Sequence, residues 1–161
     1  MKSKYLKLIP AFLLIIVFCL PVSVNAAKKS SVWTSSVKAP KKPSLKYTSI
    51  SYLNHSGMYY FVTYATSGKI GKQREMVDGY QYTLYFKGRV VAEDKCTFKK
   101  PTRLNLHPIT AKIEPKYGGI SVKNKKFTLF FQTFNYKLAK KGKKREYYYS
   151  KTVTKTVKAK N

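Results

Sequence analysis

The sequence predicts an all-β protein, an antiparallel two-sheet sandwich of immunoglobulin-like type with about seven strands. Two observations predict this class. After residue 44, no stretch places apolar residues at the i, i+3, i+4 and i+7 positions of an amphipathic helix. Short runs rich in Tyr, Phe, Val and Thr instead alternate with clusters of Gly, Pro, Asn and Lys, as in strands separated by turns. An open β-barrel is the alternative architecture.

Seven segments carry this strand pattern. We expect strands at 45–53, 58–66, 80–87, 89–98, 109–114, 127–138 and 147–158. Asn54–Gly57 and Lys87–Gly88 supply turn residues, because glycine reaches positive φ angles without steric cost. In the sixth segment the apolar residues change parity between Phe131 and Phe134. A bulge near Gln132, or a strand buried on both faces, would accommodate that change.

Residues 1–26 have the layout of a secretory signal peptide. A lysine-rich start is followed by an apolar run from Leu8 to Leu20, and Val24 and Ala26 are small residues suited to a cleavage site. The apolar run is shorter than the ~20 residues that cross a bilayer, so cleavage is favoured over a membrane anchor. Residues 27–44 are rich in Lys, Ser and Pro and are expected to form a flexible arm before the folded domain, 45–161.

The cysteines indicate the compartment. Cleavage after Ala26 would remove Cys19 and leave Cys96 unpaired, so the exported protein would contain no intrachain disulfide. Eukaryotic secreted domains of this size usually carry disulfides. We therefore expect a bacterial protein that is secreted and is extracellular or associated with the cell wall. A Gram-positive source is expected because the surface of such bacteria is rich in polyanions.

Residue types that perform catalysis are few and scattered. Cys96 has the strand parity of its apolar neighbours and is interpreted as a core thiol. Glu93 and Asp94 are adjacent, so on a strand they point to opposite faces and cannot act together. His55 and His107 are isolated, and no metal-binding spacing of Cys or His occurs. We expect no catalytic residue, metal site or cofactor, and no enzyme activity.

Positive charge is the most informative feature of the composition. The chain has 33 Lys and Arg against 6 Asp and Glu, a net charge of +27, and signal cleavage would remove three lysines and leave +24. The charge is densest in the loop before the last strand and continues along that strand. The candidate polyanion-binding residues there are Lys140, Lys141, Lys143, Lys144, Arg145, Lys151 and Lys155. Lys158 and Lys160 continue the charge along the same strand, and smaller groups occur at 99–103 and at 123–126.

These charges predict a binding function. Most of the cations are lysines, whose compact charges favour diffuse attraction over shaped recognition. We expect the protein to associate electrostatically with anionic cell-surface polymers, either teichoic acid or anionic lipid. An exported protein is not expected to meet nucleic acid as its physiological partner, and we expect a monomer.

Two alternative functions stay open. A secreted, bacteriocin-like antibacterial toxin is less favoured, because the bases are spread over strands and form no basic amphipathic helix. The protein could instead be an inhibitor or accessory partner of a secreted wall enzyme, which it would contact through a sheet edge or the basic loop.

Overall fold

A computed structural model describes residues 37–138 and 144–161. Within these ranges the chain forms strands and turns without a helix, which confirms the all-β class. The strands are β1 (Ser44–Leu53), β2 (Met58–Thr66), β3 (Lys69–Ile70), β4 (Gln73–Arg74), β5 (Met76–Phe86), β6 (Arg89–Arg103), β7 (His107–Ile113), β8 (Lys116–Tyr117), β9 (Ile120–Ser121), β10 (Lys126–Leu138), β11 (Arg145–Tyr149) and β12 (Val153–Lys160). This part of the chain contains no helix long and apolar enough to cross a membrane.

Eight strands belong to one sheet that curls into a nearly closed barrel. Seven of them follow the order β6-β5-β10-β12-β1-β2-β7, and β11 pairs with β10 beyond the end of β12. The pairings are antiparallel except between β1 and β12, which run parallel next to Ile50 and Ala159. The outermost strands β6 and β7 approach each other where the rings of Phe98 and His107 lie 5.8 Å apart. The pairs β3–β4 and β8–β9 form two small separate sheets.

The interior of the curled sheet is filled with apolar side chains. Every second residue of a strand points inward, so β2, β5 and β10 each contribute several core residues. The largest fully buried rings of this core are Phe61, Phe127 and Phe131. Burial of each such side chain contributes about 1.5–3 kcal/mol. This packed core holds the outer face of the sheet in a fixed register.

The structure contains strands at each of the seven predicted segments, but the ends of several strands differ from the predicted ends. Strand β5 begins at Met76 rather than at Tyr80, and β6 continues to Arg103. The last predicted segment, 147–158, is divided into β11 and β12 by Ser150–Thr152. The division occurs because β10 changes partner at this point.

This change of partner explains the change of apolar parity in β10. Strand β10 pairs with β12 up to Phe131 opposite Val153, and with β11 from Phe134 opposite Tyr149. Ser150–Thr152 therefore has one residue more than the β10 segment that it faces. The extra residue is a bulge in the partner of β10, whereas the pairing of β10 with β5 continues without a shift.

The second predicted explanation, burial on both faces, also applies at Phe134. Its ring points to the outer face of the sheet and is fully buried there. The rings of Tyr147 and Tyr149 cover it edge-on, with centroid distances of 5.2 and 5.7 Å. On β5, Gly79 leaves room for this ring, because a Cβ atom there would overlap the Phe134 ring and the carbonyl oxygen of Cys96.

Part of the predicted arm lies against the domain. In residues 37–43, the carbonyl of Lys38 accepts a hydrogen bond of 3.1 Å from Asn135 Nδ2. The backbone N–H of Lys41 donates to Glu75 Oε2 at 2.6 Å. The predicted signal peptide and the remainder of the arm lie outside the described residues.

Gly79→Ala is expected to destabilise the domain by about 3 kcal/mol, because the added methyl group would force apart the Phe134 ring and the β6 backbone. Urea unfolding, monitored by far-UV circular dichroism, measures this loss of stability. Gly57→Ala is the control: its φ of +64° gives a cost of about 1 kcal/mol, in open space. Equal losses in the two variants would contradict the packing role of Gly79.

Candidate anion-binding surface

The structure describes four of the seven sequence-predicted binding residues. Lys140, Lys141 and Lys143 lie outside the described residues. Lys144 and Arg145, at the start of β11, are exposed, and Lys151 is exposed in the bulge that separates β11 from β12. Lys155 is half-buried and has a different environment.

Lys155 points to the inner side of the sheet. It shares this side with Val153 and Val157, both buried. Its ammonium group donates a hydrogen bond of 2.8 Å to the carbonyl oxygen of Leu45. The structure therefore does not bring Lys155 together with the exposed cations of the loop, and this ammonium already has an acceptor.

Arg145 is also engaged within the fold. Its guanidinium carbon lies 4.6 Å from the ring centroid of Tyr136 on the neighbouring strand. Hydrogen bonding to Tyr147 raises the pKa of Arg145, so the group stays fully charged. A guanidinium stacked on an aromatic ring is held in place and still exposes hydrogen-bond donors at its edge.

An aromatic cluster beside this arginine holds a further lysine, which sequence reasoning did not select. Lys95 Nζ of β6 lies 3.4 Å from the ring centroid of Tyr147 and 5.2 Å from that of Phe134. It also donates a hydrogen bond of 2.8 Å to the hydroxyl of Tyr149. Cation–π contact at an exposed site contributes about 0.5–1 kcal/mol, so the Lys95 ammonium helps to hold the cover of Phe134 in place.

Two more charged side chains at this end of β10 and β11, Lys137 and Glu146, form an ion pair. Lys137 Nζ lies 2.9 Å from Glu146 Oε2. The hydroxyl of Tyr148 donates to Glu146 Oε1 at 2.7 Å. The hydrogen bond from the Tyr148 hydroxyl is the largest single cause that lowers the pKa of Glu146, and Lys137 lowers it further by its hydrogen bond and its charge. These contacts tie the end of β10 to the start of β11.

A group of exposed lysines lies at the opposite end of β10. Lys126 of β10 and Lys158 of β12 are directly opposite each other in the antiparallel register, and both are exposed. Like charges in such a cross-strand pair are destabilising. Lys160 extends the same face of β12, and its cross-strand neighbour on β1 is Ser51, an uncharged residue.

The loop that precedes β10 adds two more lysines, Lys123 and Lys125, both exposed. Two backbone hydrogen bonds hold this loop against β12. Asn124 N–H donates to the carbonyl of Ala159 at 3.1 Å, and Ala159 N–H donates to the carbonyl of Lys125 at 3.0 Å. The five lysines of this surface, named the lysine surface below, are therefore carried on fixed backbone: Lys123, Lys125, Lys126, Lys158 and Lys160.

The sequence shows the lysines at 123–126 as one group and Lys158 and Lys160 as part of the last strand. It does not show that the two sets meet, because the register of β10 with β12 decides which residues face each other. The predicted loop has more basic residues in succession along the sequence, whereas the lysines of the lysine surface come together through strand pairing.

Other reactive side chains lie apart. Cys96 is a free, half-buried thiol that packs against the core. Burial, with a contribution from Cys96, raises the pKa of Tyr80. In residues 37–138 and 144–161, no three side chains of His, Cys, Asp or Glu are grouped as metal ligands would be.

The sequence matches no protein-family model and no curated protein. The geometry and charge of the surface are therefore the basis for a functional proposal.

Tyr148→Phe and Lys137→Gln are each expected to raise the pKa of Glu146, because each variant removes a hydrogen bond that lowers it. Carboxyl-carbon NMR titration of Glu146 in the two variants measures the change. A carboxylate with a lowered folded pKa adds stability above its unfolded pKa and loses it as the pH falls through the folded value. An unchanged titration in Tyr148→Phe would contradict the assignment.

Proposed function

We propose that the protein binds phosphate-bearing polymers of the bacterial cell surface, of the teichoic acid type, through the lysine surface. One observation carries the proposal: five exposed lysines, including the opposed pair Lys126 and Lys158, are collected on fixed backbone. In these pairings Lys126 and Lys158 face each other, and Lys160 faces Ser51. None of these cross-strand partners is a carboxylate. Such a grouping costs stability unless anions occupy it.

Solubility alone does not account for the charge. A net charge of magnitude about 2–8 keeps a small domain soluble. The chain carries +27, and its opposed lysines sit where a threonine would fit the strand better. A bound phosphate between Lys126 and Lys158 would convert their repulsion into two attractions.

The chemistry of lysine suits a polymer better than a single shaped ligand. Each ammonium is a compact charge on a flexible stem, so neighbouring lysines can follow phosphates along a chain. Binding of this kind releases counterions and falls steeply as the salt concentration rises. Anionic lipid offers the same charge, but it presents a plane rather than a chain that can follow the curve of the sheet.

The proposal depends on export, which the first 26 residues predict. It requires an all-β scaffold that holds β10, β12 and the preceding loop in register. The immunoglobulin-like arrangement of two sheets stays a prediction, and binding at the lysine surface does not depend on it.

The double variant Lys126→Gln, Lys158→Gln tests the surface directly. Its affinity for purified teichoic acid is expected to fall, and the slope of log affinity against log salt is expected to decrease by about one to two units. Sedimentation with the polymer over a salt series measures both. The control is Lys69→Gln, Lys72→Gln, which removes the same charge from the exposed β3–β4 hairpin.

The control distinguishes binding at the lysine surface from binding that depends only on the net charge of the protein. Equal losses in the two double variants would show that net charge alone governs binding. Equal sedimentation with cell walls stripped of teichoic acid would overturn the polymer as the ligand. Binding to anionic vesicles with no binding to the polymer would transfer the function to the membrane.

A further inference from the structure

The outer face of the sheet continues from the lysine surface in unbroken register. Two cross-strand rows follow Lys126 and Lys158 along β10, β12 and β5. The first row passes through Thr128 and the second through Phe130. Their members form the threonine–aromatic face: Thr156, Thr128, Tyr85, Thr154, Phe130 and Thr83.

Phe130 is the unusual residue of this face. It lies in the middle strand of three, points outward and is 39% exposed. The ring of Tyr85 meets it edge-on, with a centroid distance of 5.5 Å and an interplanar angle of 88°. This contact supports the Phe130 ring from the side and leaves its exposed part open to solvent. Threonines flank Phe130 on both neighbouring strands, at Thr83 and Thr154.

Each part of this face matches one part of a sugar. The C–H face of a pyranose packs on an aromatic ring, and its hydroxyl groups exchange hydrogen bonds with side-chain hydroxyls. Threonine carries both a methyl group and a hydroxyl, so the flanking residues serve either contact. Thr154 and Thr156 are exposed and accessible to such a ligand.

We propose that the threonine–aromatic face binds sugars attached to the phosphate polymer, so that the protein prefers glycosylated over bare polymer. The proposal rests on the proposed function, because the lysine surface supplies the phosphate contact. Two residues along a strand advance about 6.8 Å, so Lys126 and Phe130 are about 14 Å apart along β10. A polymer whose phosphates bind at the lysine surface can therefore place an attached sugar on Phe130, without a contact between its phosphate backbone and that ring.

Charge argues against other occupants of this face. A second copy of the exported chain would bring two lysine surfaces together at a net charge of +24 each, which is the full-chain +27 less the three lysines of the predicted signal peptide. A purely apolar partner would cover the threonine hydroxyls without offering them hydrogen bonds, at a cost in desolvation. A hydroxyl-rich anionic polymer avoids both costs.

The test compares two probes of equal phosphate content, glucosylated and unglycosylated poly(glycerol phosphate). The unmodified protein is expected to bind the glucosylated polymer about tenfold more tightly, the size of one aromatic stacking contact. Phe130→Thr is expected to abolish this preference and leave binding to the bare polymer unchanged. Phe130→Tyr keeps a stacking ring and is expected to retain the preference.

Ile70→Thr is the control, since Ile70 is also an exposed apolar residue, on β3, and its exposed fraction of 59% exceeds the 39% of Phe130. It is expected to leave both affinities unchanged. Thermal unfolding and circular dichroism of each variant confirm that the fold is intact, and the Phe130→Tyr variant keeps the test valid if Phe130→Thr unfolds.

The possible failures are distinguishable. Equal affinity of the unmodified protein for the two polymers overturns the sugar site and leaves phosphate binding standing. Absence of binding to either polymer overturns the proposed function itself. The sugar site is also overturned if Phe130→Thr lowers the affinity for both polymers equally. It is likewise overturned if the unmodified protein self-associates with rising concentration and Phe130→Thr abolishes that self-association.

Discussion

The position of β10 between β5, β12 and β11 is the constraint on which the rest of the structure depends. Its inner residues fill the core, and its outer residues define three successive environments. Lys126 lies at the charged end, Phe130 lies in the exposed middle, and Phe134 lies under the aromatic cover. Because a strand has period two, one slip in register would exchange the inner and outer sets completely.

The charge of the chain is distributed around this strand in two different ways. At the β11 end, cations are neutralised or stacked inside the fold, as for Lys95 on the aromatic rings and Lys137 beside Glu146. At the other end, Lys126 and Lys158 face each other without an acid between them. Lysine therefore contributes stabilising contacts at the β11 end, whereas Lys126 and Lys158 repel each other at the other end. An anion bound between these two lysines would relieve that repulsion.

The all-β class and the strand segments could be predicted because they depend on local alternation and turn residues. The parity change between Phe131 and Phe134 correctly marked an irregularity, but its location in the partner strand depends on which strand pairs with β10. Lys155 shows the same dependence on pairing. Its place in the sequence groups it with the cations of the loop, but its side chain points inward and its ammonium group donates to the carbonyl oxygen of Leu45. The lysine surface joins residues from distant parts of the chain, and no local pattern reports their register.

The short parallel contact of β1 with β12 joins the first strand of the sheet to the last. The units β1–β2–β7 and β5–β6 pair within the earlier part of the chain, but the join between them waits for residues 153–160. Contacts between such distant segments close late and slow the folding of β-rich domains. The sheet therefore stays open between β10 and β1 until residues 153–160 have paired with both strands.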